Sequence, residues 1–246
     1  IPLKMDIRDS MADDYERAFN YICLKNKVCA ICGKPGELEH YDNVDINPSR
    51  EVCETLARDG VADEKTDVHI DVTSVLMPLS FQNAWPVLVK TLDAAHPDIV
   101  IATGLKTHAQ SVILECCATN FIDAQKPDAD DAQPRRMPII PGAPQAYWTH
   151  LPLHSILQCF AKNSIPASLS SDAGTFVCNS LFYQLLNWSN KHNNSLAGFV
   201  SLPLVGKEHG YTPGMSLDQM ITAAQDVVKM RVDYYRKPLP PEILRA

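Results

Sequence analysis

The most constraining feature of the sequence is the short run Asp-Ile-Val-Ile-Ala-Thr at residues 98–103, which is followed by Gly104. Short apolar runs rich in β-branched residues are typical of parallel strands that are buried on both faces. Segments with helical periodicity alternate with this run and with strand-like runs at 68–78 and 196–205. This alternation predicts a three-layer α/β/α fold with a mostly parallel central sheet, and ligand chemistry at the carboxyl ends of its strands.

Apolar periodicity and capping residues indicate where the remaining elements lie. The predicted helices cover residues 9–26, a segment from Asn47-Pro48-Ser49 to about Gly60, 81–95, 151–163, a segment that begins near Cys178, and 216–235. Further strands are predicted at 113–124 and 166–170, and a long surface loop at 126–146.

Composition excludes several classes of protein. Of the 246 residues 46% are hydrophobic, which suffices for the core of one medium domain. The formal charge of -7 argues against a nucleic-acid-binding surface. No apolar run approaches the roughly 20 residues of a membrane span, and the charged start shows no signal peptide. Eight cysteines in a chain of this length are typical of reduced thiols and predict a cytoplasmic protein.

Cys178 stands between a polar turn and an apolar run, in Ser-Asp-Ala-Gly-Thr-Phe-Val-Cys at 171–178. A helix N-terminus lowers the pKa of a thiol and offers N–H groups to an oxyanion, so the residue could be a nucleophile. Cysteine is also among the most frequently buried residue types. From these residues alone, a buried structural thiol is the favoured interpretation.

Several separated segments resemble the pyroglutamyl-peptidase I family of cysteine peptidases, in the order that this family has them. The segments are INPSREV at 46–52, HPDIVIATG at 96–104, AYWTHLP at 146–152, AGTFVCN at 173–179 and MSLDQM at 215–220, and from Gly104 to Asp128 the register holds without gaps. The resemblance covers about residues 41–232. It implies a hydrolase, an omega-peptidase that removes 5-oxoproline from the N-terminus of peptides, without a cofactor and commonly as a homo-oligomer.

The resemblance also assigns roles to individual residues. The family uses a Cys–His–Glu triad, in which the positions of nucleophile and orienting acid fall on Cys178 and Glu115. The family's histidine position, in Gly-Phe-Val-Ser-Leu-Pro, is occupied by Ser201. The residues implied to line the pocket for the pyrrolidone ring are Tyr41, Asn47 and Phe176.

Ser201 removes the base from the triad, because a hydroxyl does not accept a proton near neutral pH. His209 and His108 lie in loops at 206–214 and 105–110. His209 is an alternative base if its loop brings it to Cys178, but a solvated loop histidine is the favoured interpretation of both. The resemblance therefore implies a peptidase whose activity is low or absent. The alternative is a catalytically inactive binding or relic protein on the same scaffold.

The segment before residue 41 departs most from the family, which begins with an apolar strand. Here Val-Cys-Ala-Ile-Cys-Gly-Lys-Pro-Gly-Glu-Leu-Glu-His at 28–40 resembles the start of a phage HNH-type nuclease. We therefore divide the chain into an N-terminal segment, 1–40, with a helix and the Cys-x-x-Cys motif, and a pyroglutamyl-peptidase-like domain, 41–246. Either a gene fusion or a sequence artefact would explain the N-terminal segment. The sheet would lose its first strand unless 28–32 replaces it.

The cysteines of this N-terminal segment suggest a metal site. Cys29 and Cys32 have the spacing of two thiolate ligands on a tight turn, and His40 could be a third ligand of zinc. A tetrahedral site needs a fourth ligand, which no second Cys-x-x-Cys motif provides. A zinc-binding module attached to a degenerate domain is thus a further alternative.

Overall fold

The computed structural model describes residues 18–24, 28–31, 47–61, 70–192, 195–206 and 214–236, with the backbone alone at 18–24, 28–31 and 233–236. The helices are α1 (Pro48–Asp59), α2 (Ala84–Ala95), α3 (Leu153–Lys162), α4 (Val177–Ser189) and α5 (Leu217–Arg236). The strands are β1 (Ala18–Leu24), β2 (Val28–Ile31), β3 (Val72–Pro78), β4 (Ile99–Leu105), β5 (Val112–Glu115), β6 (Cys117–Thr119), β7 (Ala146–Trp148), β8 (Ala167–Ser170) and β9 (Leu196–Leu202).

Seven of the described strands form one sheet in the order β1-β3-β2-β4-β9-β5-β8. Strands β3, β2, β4 and β9 run parallel, whereas β5 is antiparallel to β9 and parallel to β8. Helices α1, α3 and α5 pack on one face of this sheet, and α2 and α4 pack on the other. One apolar cluster lies between the sheet and the helices on each face. The predicted three-layer α/β/α fold with a mostly parallel sheet is confirmed.

The N-terminal helix predicted at 9–26 is wrong where the structure describes it, because residues 18–24 form the strand β1. This strand pairs antiparallel with β3 and, at Cys23 and Leu24, with β4. The sequence Ala-Phe-Asn-Tyr-Ile-Cys-Leu contains aromatic and β-branched residues that suit strands, and pairing with two neighbours overrides the helical periodicity. Residues 9–17 lie outside the described residues.

Strand β2 occupies the place left by the missing first strand. It runs parallel to both β3 and β4, with Cys29 opposite Thr73 and Ile31 opposite Ala102. Residues 28–31 of the predicted segment 28–32 thus form a strand within the sheet, and Cys32 lies outside the described residues. Both β1 and β2 precede the predicted boundary at residues 40 and 41 but belong to the same sheet as β3, and the boundary itself stays a prediction.

The boundaries of α1 follow the capping signals in the sequence. Asn47 caps α1 by accepting a hydrogen bond from the main-chain N–H of Ser49, and the helix ends at Gly60, whose φ is 73°. Pro86 is tolerated in α2 because it falls in the first turn. Of the described helices, none is long and apolar enough to cross a membrane.

The single strand predicted at 113–124 is in fact two strands in two sheets. Strand β5 ends at Glu115 in the main sheet, and β6 begins at Cys117 in a two-stranded sheet with β7. Cys116 joins them: its N–H donates to Ser170 O (2.6 Å) and its C=O accepts from Thr149 N (2.9 Å). The chain thus crosses from one sheet to the other within one residue.

Candidate active site

Cys178 is the second residue of α4, at the end of this helix that faces the carboxyl ends of β4 and β9. The helix begins with Val177, and Phe176 is its N-cap without a side-chain capping hydrogen bond. The first N–H groups of an α-helix have no partner within the helix and carry partial positive charge. The predicted helix start near Cys178 is confirmed, and it places the thiol where a thiolate and an oxyanion are stabilised.

Asn179 fixes this end of α4 on strand β6. Its buried side-chain amide donates to the carbonyl oxygens of Thr119 (2.9 Å) and Phe121 (3.1 Å) and accepts from Thr119 N (3.0 Å). Sequence reasoning missed this residue. A signal was present, because an asparagine inside an apolar helical run needs buried partners.

The sulfur of Cys178 lies over Gly104 on the α4 face of the sheet. A Cβ built on Gly104 would be 3.5 Å from Sγ of Cys178 and 2.8 Å from Cζ of Phe199. Gly104 pairs in register with Ser201 of β9. Partners in register point to the same face of a sheet, so Cys178 and Ser201 share this face.

Glu115 meets Ser201 beneath the N-terminal end of α4. The side chain of Glu115 is fully buried, and its Oε1 accepts a hydrogen bond of 2.7 Å from Oγ of Ser201. The same oxygen is 3.3 Å from Nζ of Lys106. The other oxygen, Oε2, is buried and has no hydrogen-bond partner among the described residues. The structure therefore brings together the predicted acid and the residue in the histidine position.

Lys106 is a residue of this site that sequence reasoning did not identify. It follows β4 in the turn 105–110, and its ammonium group reaches both Glu115 and the carbonyl oxygen of Asp172 (3.1 Å). The sequence carried no direct signal for this role. The partner of a turn lysine is set by the fold and not by its neighbours in sequence.

The described histidines do not take the place of the missing base at Glu115. His150 lies at the opposite end of α4, where it contacts Ser189 and Asn190 (3.2 Å each). Twelve helical residues separate Cys178 from Asn190, which corresponds to about 18 Å. His108 is exposed in the turn after β4, in agreement with a solvated histidine, and His209 is outside the described residues.

His150 itself is a structural residue with a perturbed acidity. Burial lowers the pKa of its imidazole, and the positive charge of Arg231 lowers it further, against a smaller opposing effect of Asn190. Its Nδ1 accepts a hydrogen bond of 3.2 Å from Ala197 N. Protonation of Nδ1 would place its N–H opposite the N–H of Ala197, so the neutral imidazole is the form that this hydrogen bond favours.

The structure describes two of the three predicted pocket residues. Phe176 packs edge-on against Phe81 with ring centroids 5.2 Å apart, and Nζ of Lys126 is 5.7 Å from its ring centroid. Oδ1 of Asn47 accepts hydrogen bonds from the main-chain N–H and the hydroxyl of Ser49. Tyr41 lies outside the described residues, and the pocket stays a prediction.

The proposed zinc ligands are only partly described. Cys29 lies within β2, paired with β3, and not on the tight turn that was predicted for it. Cys32 and His40 are outside the described residues. Within the described segments, no group of three or more His, Cys, Asp or Glu side chains could hold a metal ion. The zinc site stays a prediction, which metal analysis of the purified protein tests.

Comparisons with known proteins agree with this geometry. The family profile described as pyroglutamyl peptidase matches residues 36–233. A pyrrolidone-carboxylate peptidase of Bacillus cytotoxicus is 34% identical over 189 residues, or 75% of this chain and 85% of that protein. A second relative, pyrrolidone-carboxylate peptidase 1 of Caldanaerobacter subterraneus subsp. tengcongensis, is 32% identical over 76% of this chain and 91% of that protein.

Solved structures show the same similarity. The pyrrolidone carboxyl peptidase of Thermococcus litoralis superposes with a TM-score of 0.70 at 28% identity, over 81% of this chain and 92% of that one. Pyroglutamyl peptidase I of Bacillus amyloliquefaciens gives a TM-score of 0.67 at 30% identity, over 77% of this chain and 91% of that one.

Proposed function

The chain belongs to the pyroglutamyl peptidase family, and on this premise we propose that it slowly hydrolyses the amide bond after an N-terminal 5-oxoproline, with Cys178 as nucleophile. The observation that carries the proposal is the hydrogen bond of 2.7 Å between Ser201 and Glu115, both buried on the sheet face that Cys178 overlies. Glu115 lies at the position of the acid, but the residue that donates a hydrogen bond to it is a serine and not a histidine.

The chemistry begins with the loss of the thiol proton of Cys178. The thiolate attacks the carbonyl carbon that joins 5-oxoproline to the next residue. The C–N bond of this amide breaks as the amine takes up a proton, and water then hydrolyses the thioester. The N-terminal N–H groups of α4 can stabilise the oxyanion of each addition. The attack of the thiolate and the stabilisation of the oxyanion need no histidine, whereas the two proton transfers are the steps that a histidine catalyses.

Proton transfer is the part that Ser201 does not supply. In a Cys–His–acid triad the imidazole accepts the thiol proton and later donates one to the leaving amine. With Ser201 both transfers depend on water. General acid–base catalysis contributes roughly 10²- to 10⁴-fold, so we expect a rate lower by about this factor than that of the same site with histidine.

A fluorogenic amide of pyroglutamate tests the proposal on wild type, Ser201→His, Ser201→Asn and Cys178→Ala. We expect slow turnover by wild type, a gain in kcat/KM of about 10² or more for Ser201→His, and none for Ser201→Asn, a polar control without a base. Cys178→Ala should abolish all turnover. Wild-type turnover that survives Cys178→Ala, or a folded Ser201→His variant without any gain, would refute the proposal.

A second candidate, a binding protein without catalysis, is favoured by one observation. The hydrogen-bond donors that reach Glu115 from the described residues are Ser201 and Lys106, and neither is an imidazole. Titration of the Cys178→Ala variant with a pyroglutamyl peptide separates the two candidates. Tight binding together with a wild type that shows no turnover above the Cys178→Ala background would select the binding protein.

The same proposal includes a cytoplasmic homo-oligomer that acts on pyroglutamyl peptides. Reduced thiols at Cys53, Cys116 and Cys117 support a reducing compartment, and the family resemblance supports the oligomer. Light scattering of the purified chain measures its mass in solution. A monomer at micromolar concentration would contradict the oligomer.

A further inference from the structure

Glu115 needs a positive charge that Ser201 does not provide. A buried carboxylate is strongly destabilised unless it is paired with a cation or with several hydrogen-bond donors. In a Cys–His–acid triad the imidazolium that forms during the reaction supplies this charge. Here Glu115 has no solvent exposure, and Oε2 has no hydrogen-bond partner within the described part of the chain.

Lys106 is the cation that reaches Glu115. Its Nζ lies 3.3 Å from Oε1, and its side chain is 40% exposed, so the ammonium group enters the site from the solvent edge. The backbone of Lys106 is fixed, because its N–H donates to Leu202 O (2.9 Å) and its C=O accepts from Ala109 N (2.9 Å). Leu202 directly follows Ser201, so this turn is held beside the hydroxyl.

The second contact of Lys106 leads toward the nucleophile. Nζ also donates to the carbonyl oxygen of Asp172 (3.1 Å), in the loop that precedes α4. Asp172 closes this loop, since its N–H donates to Ser170 Oγ (3.0 Å) and its Oδ1 accepts from Gly174 N (2.8 Å). One ammonium group therefore connects the acid to the loop that leads into Cys178.

Cys178 lies close enough to this ion pair to respond to its charge. Its Sγ is 3.5 Å from the Cβ position of Gly104, and neighbouring strands are about 4.8 Å apart. Sγ thus lies within about 9 Å of the side chain of Ser201, which contacts Glu115. Charges in a protein still interact over this range because the effective dielectric constant is lower than that of water, so a carboxylate without its cation disfavours a thiolate.

We propose that Lys106 is a positioning residue of the active site, which supplies opposite Glu115 the positive charge that the missing imidazolium would carry and thereby favours the thiolate of Cys178. The inference rests on the proposed function in taking Cys178 as the nucleophile. It assigns to the turn 105–110 a role that depends on charge and not only on packing.

The rate of alkylation of Cys178 by iodoacetamide, followed by mass spectrometry of its peptide, tests this inference without any peptidase activity. The midpoint of the rate against pH reports the pKa of the Cys178 thiol, because the thiolate is the form that reacts. Lys106→Met should raise this midpoint by about one unit, Lys106→Arg should leave it within about 0.3 unit, and Lys106→Met with Glu115→Gln should return it to the wild-type value. Lys90→Met, an exposed lysine of α2, is the matched control.

Other ionisable groups on the segments that meet the N-terminal end of α4 stay constant in these comparisons. Within the described residues they include Cys117 of β6, Asp172 in the loop before α4 and His108 in the turn after β4. They also include Lys126, which lies over the ring of Phe176, and Asp123, whose C=O accepts from Thr175 and whose carboxylate pairs with Arg135. An unchanged midpoint in Lys106→Met, or one that remains raised in the charge-neutral double variant, would overturn the inference. A double variant with a wild-type midpoint shows that Lys106 acts through Glu115.

Two safeguards keep the outcomes separable. If Lys106→Met does not fold, as judged by thermal unfolding, Lys106→Gln and the double variant take its place. If the midpoint moves as expected while wild type and Ser201→His show no turnover, the proposed peptidase fails and the role of Lys106 stands. If turnover follows the proposal and the midpoint does not move, Lys106 has no such role.

Discussion

Replacement of Gly104 by alanine would force a methyl group between Cys178 and Phe199. The new Cβ would lie 2.8 Å and 3.2 Å from two ring atoms of Phe199 and 3.5 Å from the sulfur of Cys178. Carbon atoms pack best at about 3.5–4.0 Å, so the ring must retreat by about 0.7 Å. Phe199 is 2% exposed and its ring centroid is 5.4 Å from that of Phe182, which leaves it little room.

The magnitude follows from two opposing effects of Gly104→Ala. Overpacking a buried site destabilises a protein by about 1–3 kcal/mol. Replacement of glycine by alanine recovers about 0.4–1 kcal/mol, because the unfolded chain loses freedom. The net loss in the free energy of unfolding therefore lies between about 0 and 2.6 kcal/mol, and its midpoint of about 1.3 kcal/mol corresponds to a decrease in Tm of about 3–5 °C.

Gly198→Ala is the matched control for Gly104→Ala. Its Cβ would lie 2.2 Å from Cγ of Leu151, and Gly198 pairs with Ile101, whose side chain faces the opposite apolar cluster. Thermal unfolding and alkylation of Cys178 are measured on both variants. Both should melt below wild type, but only Gly104→Ala should change the alkylation rate. A Gly104→Ala variant with wild-type Tm and wild-type alkylation would refute the reasoning.

Three further changes test other parts of the site. Asn179→Ala removes two hydrogen bonds to Thr119 of β6 and one to Phe121, so it should lower the free energy of unfolding by about 2–4 kcal/mol, measured by urea denaturation; a loss below about 1 kcal/mol would contradict the anchoring role. Asp128→Ala removes the carboxylate that accepts a hydrogen bond from Phe81 N (2.7 Å), so the contact between Phe81 and Phe176 should loosen. In the Ser201→His background, KM should then rise more than kcat falls. An unchanged KM would show that Phe176 does not contact the substrate. The folded state lowers the pKa of His150 below its ordinary 6.5, so the unfolded chain binds the proton more readily. Stability should therefore fall as the pH falls below about 6.5. His150→Gln should flatten this part of the curve of Tm against pH, and identical curves would show that His150 does not contribute.

Much of the fold was predictable because local and global signals agree. The β-branched run at 98–103 becomes the buried parallel strand β4, and Asn47 and Gly60 bound α1 where the sequence indicates. The contact between Ser201 and Glu115 follows from family positions, although the two residues are 86 positions apart. Such a contact is invisible to composition or periodicity.

What could not be predicted depends on partners far away in sequence. The segment 18–24 has an acceptable helical pattern and becomes a strand only because β3 and β4 offer hydrogen bonds to its backbone. The pairing of Lys106 with Glu115 depends on how the turn after β4 is folded back over β5. The anchoring of Asn179 likewise requires the position of β6, which no local pattern specifies.

The crossing at Cys116 has a consequence for how the site can vary. Glu115 belongs to the main sheet, and Thr119, four residues later, holds Asn179 beside Cys178. The distance between Glu115 and Cys178 is therefore set by the short segment 115–119. An inserted or deleted residue between Glu115 and Thr119 would therefore shift Glu115 and Cys178 relative to each other.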